Sequence, residues 1–74
     1  MSNEVRTERE FNLGDKARLI VPLGTVSGDI RGYEWSDGSN PLYGIRYNGW
    51  FYYFREEGSD NLIITPETQL RRAL

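Results

Sequence analysis

Asn48-Gly49-Trp50-Phe51-Tyr52-Tyr53-Phe54 sets five consecutive aromatic residues directly behind an Asn-Gly pair. Asn and Gly tolerate the positive φ angles of a tight turn, and between two strand-like runs the pair signals a β-hairpin. With Asn48-Gly49 as the turn, Tyr47 lies opposite Trp50, Ile45 opposite Tyr52 and Tyr43 opposite Phe54. Side chains alternate along a strand, so these residues share one side. The other side receives Arg46 across from Phe51, Gly44 across from Tyr53 and Leu42 across from Arg55. The first set is uncharged and is the expected core face. The second holds both arginines and is the expected solvent face; a slip of one residue would exchange the two.

The same reading extends outward in both directions. Ala17, Leu19 and Val21 alternate with Lys16, Arg18 and Ile20, which predicts a strand over 16–21. Pro22 suits the second position of a turn from Val21 to Gly24. Thr25 to Trp35 reads as a second strand, bent or bulged where Gly28 and Gly32 lack side chains. Ser36 to Pro41 is a loop by composition. Downstream, Leu62 to Thr65 is a short β-type run. Thr65-Pro66 resembles a helix N-cap with proline in the first turn, predicting a short helical turn over 66–72, with Arg71 and Arg72 at its C-terminal end. Met1 to Glu10 carries five charges and a single internal apolar residue, Val5, so it is expected to be a disordered tail. Residues 11–74 are expected to form one small domain.

Composition narrows the function. Two Trp, five Tyr and three Phe among 74 residues point to a core built from few, large side chains. There is no Cys and no His, which removes thiolate metal sites, the commonest general base and the commonest metal ligand. No Ser or Thr has a histidine to activate it, and the sole lysine, Lys16, is expected to point outward from its strand. Glu56, Glu57 and Asp60 lack the spacing of a calcium loop and read as a surface turn. No apolar run approaches a membrane span, and the charged N-terminal stretch does not resemble a signal peptide, so a cytoplasmic protein is expected. The net charge of −2 does not favour nucleic acid overall but leaves room for a local basic patch.

Phe11-Asn12-Leu13-Gly14-Asp15-Lys16-Ala17-Arg18 resembles the glycine–aspartate–basic opening of Src-homology-3-like small β-barrels, and Gly24-Thr25-Val26-Ser27-Gly28 is similar to the glycine–x–valine–x–glycine strand of KOW and Tudor-like modules. The resemblance covers about residues 11–65 and implies an all-β, five-stranded barrel, a fold shared by many unrelated functions. The type II dihydrofolate reductases resemble the chain in the same opening. Their Val-Gln-Ile-Tyr segment has no counterpart in Leu62-Ile63-Ile64-Thr65 or in Phe51-Tyr52-Tyr53-Phe54, neither of which supplies the glutamine.

These readings imply a non-catalytic binding or adaptor module with no cofactor and no metal. Its expected partner surface is Arg46, Phe51, Tyr53 and Arg55, the exposed aromatic and arginine combination of interface hot spots, together with Tyr33 and Trp35 at the far end of the second strand. The alternative is a nucleic-acid module, with bases stacked on Tyr33, Trp35 or Tyr53 and phosphates met by Arg18, Arg31, Arg46 and Arg55. No membrane partner is expected. The small size leaves a homo-oligomer open and would suit an accessory protein of a phage or mobile element.

Overall fold

The structure, a computed structural model, describes residues 8–38 and 46–73. It is an antiparallel β-sheet of five strands: β1 (Lys16–Val21), β2 (Gly24–Asp37), β3 (Asn48–Glu56), β4 (Leu62–Pro66) and β5 (Leu70–Arg72), in the order β4-β3-β2-β1-β5. The all-β expectation holds. The sheet is open, with β4 and β5 as its edges, rather than closed into the expected barrel. Among the described residues no helix is long and apolar enough to cross a membrane.

β1 and β2 form the hairpin that the alternation and Pro22 predict. Val21 faces Gly24, leaving Pro22 and Leu23 as the turn. β2 is continuous for 14 residues, and its register against β3 shifts between Ile30 and Gly32, so Arg31 is the bulged residue. Gly28 must be glycine for a separate reason: a Cβ there would run into the Arg55 carbonyl and the Phe54 ring.

The Asn48-Gly49 turn is not formed. Both residues lie inside β3, where Asn48 pairs with Asp37 and Gly49 with Ser36. The partner of the aromatic run is therefore β2 on one side and β4 on the other. Pairing with β2 brings Trp35 edge-to-face onto Trp50 at 5.3 Å, a favourable cross-strand aromatic contact that a local hairpin would forgo. Gly49 has φ 156° and lies under the Tyr47 ring, where a Cβ would approach the ring atoms within 3 Å. The chain between β2 and β3 spans 38–47, and the expected positions of Leu42, Tyr43, Gly44 and Ile45 lie outside the described residues, as do residues 1–7 of the expected tail over 1–10; Arg9 and Glu10 of that tail pack on Tyr33 and Glu67.

The core of the inner face is Phe11, Ala17, Leu19, Ile30, Trp50, Tyr52, Phe54 and Leu70, and Phe51 is buried separately from it. Trp50, Tyr52 and Phe54 face inward as the alternation requires. Tyr47 does not join them; its ring packs edge-on against Phe51 at 5.0 Å. The predicted helix over 66–72 shrinks to one 3-10 turn, Glu67–Gln69, and Thr65 does not cap it. Thr65 is a buried β4 residue facing Tyr52. Leu70 to Arg72 instead continue as β5, because pairing with β1 sets Leu70 against Leu19 and buries it.

Candidate binding site

The expected solvent face is largely occupied with itself. Phe51 is only 1% exposed, which corrects the expectation of a presented ring. Tyr47 covers part of it, and the β4 partner at this point is Pro66. Tyr53 pairs with Gly32, fills the space over its Cα, and donates its hydroxyl proton to Glu34 Oε1 at 3.2 Å. Arg55 sits opposite Asp29, and its Nε lies 3.3 Å from Asp29 Oδ1. Arg31 Nε holds the other oxygen of the same carboxylate at 2.7 Å. Asp29 is 6% exposed, so this is a nearly buried anion stabilised by two guanidinium groups. Arg46 is exposed. Residues 46, 51, 53 and 55 therefore do not form an open aromatic surface: two of the four side chains have named intramolecular polar partners and one is core.

Tyr33 and Trp35 present a different picture. They lie on the inward-facing side of β2 but beyond the reach of β1, whose pairing with β2 ends at Asp29. The loop before β1 adds backbone bonds only as far as Ile30. Trp50 takes both rings edge-on, Tyr33 at 5.7 Å and Trp35 at 5.3 Å. Arg9 lays its guanidinium over the Tyr33 ring at 3.8 Å and reaches toward Trp50 at 5.4 Å. A cation over a ring face at this separation is a cation–π contact of about 0.5–1 kcal/mol at exposed sites. Tyr33 remains 37% exposed and Trp35 half-buried. The Trp35 indole N–H is shielded and has no hydrogen-bond partner among the described residues. Sequence reasoning found Tyr33 and Trp35 but missed Arg9, which it left in the tail. No local signal marks Arg9, since its contact is made across the chain to β2.

A second arrangement lies beside the first, on Tyr52, the register partner of Tyr33. Tyr52 donates its hydroxyl proton to Glu67 Oε2 at 2.6 Å, and the Phe11 N–H reaches the same hydroxyl at 3.4 Å. The Glu10 N–H also bonds Glu67 Oε2, at 3.2 Å. Burial first, and the bond to the Glu67 carboxylate second, hold the Tyr52 hydroxyl protonated well above its ordinary range. Tyr47 is shifted the same way, by burial and then by the Glu67 charge. Above this network lies an open cavity of about 340 Å³ floored by Phe11 and Leu70 and rimmed by Glu10, Arg71 and Arg72. Arg72 closes back onto the Glu10 carboxylate at 3.4 Å. The phenol–carboxylate pair ties the N-terminal segment to the 3-10 turn. Among the described residues no cluster of His, Cys, Asp or Glu could hold a metal ion.

No family model, no curated protein and no solved structure matches the chain.

Proposed function

We propose that this chain is a non-catalytic, cytoplasmic binding module of the Src-homology-3-like class that takes a protein partner on its Tyr33–Trp35–Trp50 end. The class is supported by the strand order, by β5 returning to pair with β1, and by the 3-10 turn between β4 and β5. The observation that carries the function is the aromatic cluster itself. Three rings meet edge-to-face, one remains 37% exposed, and the β2 backbone beside them has no strand partner on its β1 side among the described residues. An extended peptide can bond to such an edge while setting a side chain on the rings. The four-residue set 46, 51, 53 and 55 is not that surface, because Phe51 is core and Arg55 holds Asp29.

Both tryptophans of the chain, Trp35 and Trp50, lie in the cluster, so a partner docking there reports itself in intrinsic fluorescence. The test is to titrate a partner captured from the native host into the full chain and into Tyr33→Ala. A change in tryptophan emission with the native chain, at least tenfold weaker affinity with Tyr33→Ala, and unchanged circular dichroism support the reading. Equal affinity for both proteins with no change in emission overturns it.

The nucleic-acid reading with stacked bases is disfavoured by the sheet. Tyr33 and Trp35 share a face with Trp50, whereas Arg18 and Arg55 lie on the opposite face, beside Ser27 and Asp29, where the third expected stacking residue, Tyr53, lies over Gly32 and bonds Glu34. One strand of nucleic acid cannot stack on the first and lay its phosphates on the second.

A further inference from the structure

The outer face of β1, β2 and β5 concentrates positive charge on a chain that is acidic overall. Ala17 and Leu19 are buried on the inner face, so Lys16 and Arg18 point outward. Leu70 is buried likewise, so Arg71 points outward, and its register partner is Arg18. Two arginines directly opposite on neighbouring strands repel each other. Neither is neutralised by a carboxylate among the described residues. Arg71 Nη1 bonds the Thr68 and Leu70 carbonyls at 2.8 Å each, and Arg18 Nη2 bonds the Arg72 carbonyl at 3.3 Å. The Arg18 Nε is shielded without a partner. Lys16 faces Asp29 across the strands, but both oxygens of that carboxylate are held by Arg31 and Arg55. Lys16, Arg18, Arg31, Arg55 and Arg71 thus share this face with Asp29 and, further along β2, Glu34, whose Oε1 takes the Tyr53 hydroxyl: five cations against two anions, while the whole chain carries eleven acids against nine bases.

We infer that this face binds the phosphate backbone of a double-stranded nucleic acid, without sequence preference, through Lys16, Arg18 and Arg71. Guanidinium forks suit phosphate oxygens, and a strand rise of about 3.3 Å per residue spaces Lys16 and Arg18 roughly 7 Å apart along a flat ribbon. The duplex is favoured over a single strand because the face offers no open ring for stacking: Phe51 is buried, and Tyr53 lies over Gly32 and bonds Glu34. The surface lies across the sheet from the aromatic end, and the inference does not depend on the reading given there.

The experiment is a titration of the full, isotopically labelled chain with a mixed-sequence duplex of about 20 base pairs, from about 50 to 200 mM salt. Amide shifts are expected over β1 and β5, with tryptophan emission unchanged. Three phosphate contacts predict a slope of log affinity against log salt near −2.7, and Arg18→Gln or Arg71→Gln should each make it shallower by about 0.9. Both variants should keep the native circular dichroism, since the opposed charges oppose pairing. No shift at about 50 mM salt, slopes unchanged in both variants, tighter binding of single strands, or equal binding of polyglutamate would each overturn the inference.

Discussion

Ile30 and Phe54 are fully buried at the end of the β2–β3 ladder that β1, the loop before it and β4 flank, whereas Tyr33, three residues along β2 from Ile30, is 37% exposed where neither β1 nor that loop reaches. The residue types are much the same at the two ends, and all of these side chains project from the same face. What differs is the number of neighbouring strands. An aromatic side chain is core when a further layer of chain passes beside it, and stays partly exposed when its own strand runs on without that neighbour, as β2 does beyond β1. The flanked end holds the fold together, and the bare end is where the proposed partner would dock.

The largest effects should therefore follow truncation at the flanked end. Phe54→Ala removes a fully buried ring and should cost about 3–5 kcal/mol, read as a lowered urea midpoint. Phe51→Ala is the sharper case, because it lies on the opposite face. Its burial at 1% exposure predicts a loss in the same range as Phe54→Ala. A change within about 0.5 kcal/mol is what a solvent-facing ring would give, and finding it would mean that the outer face is open after all.

Tyr52→Phe comes next. It deletes a charge-assisted hydrogen bond of 2.6 Å and leaves Glu67 with one donor fewer, for an expected loss of about 2 kcal/mol. It also carries a pH signature. The folded state raises the Tyr52 pKa above its ordinary value of 10.0, so the hydroxyl's contribution is fully present below about pH 10 and is lost as pH rises beyond it. Urea midpoints followed from about pH 8 to about pH 11 should fall for the native chain. Tyr52→Phe should flatten that fall without abolishing it, because Tyr47 is shifted in the same direction.

Much of the flanked end was legible in the sequence, and the bare end much less so. Period-two alternation over Lys16 to Val21 and the Pro22 turn identify β1 and its hairpin, because both signals are local. The inward aim of Trp50, Tyr52 and Phe54 follows from alternation whichever strand pairs with them. The identity of that strand does not. Asn48-Gly49 has the chemistry of a turn, yet a 14-residue β2 offers a longer ladder and the Trp35–Trp50 contact, and tertiary pairing overrides the local preference. β5 was hidden for a similar reason. Leu70 to Arg72 is too short to show a period, and it becomes a strand only by pairing with β1, some fifty residues earlier. Phe51 and Arg55 looked like surface because their covers, Tyr47 and Asp29, are set by the same non-local pairing.

A smaller effect should come from Asp29→Asn. The carboxylate separates Arg31 from Arg55, whose side chains are 48% and 34% exposed, so solvent takes up part of the lost pairing. About 1–2 kcal/mol is expected, less than for a fully buried ion pair. Raising salt to about 1 M should narrow the gap between this variant and the native chain, because it screens the repulsion between the two exposed guanidinium groups.

The smallest effect should be Tyr33→Ala, and it is the one that tests the comparison itself. The ring contributes an edge contact with Trp50 and a cation–π contact with Arg9, each modest at a wet site, and its removal opens no enclosed cavity. A loss within about 1 kcal/mol is expected, a few-fold less than for Phe54→Ala. Arg9→Ala should lose no more than Tyr33→Ala, and the double variant no more than the two together, since the pair meets at the surface. If Tyr33→Ala instead cost as much as Phe54→Ala, the bare end would be core in all but position. The exposed ring would then have a structural reason to be aromatic, and the argument for a partner there would lose its footing.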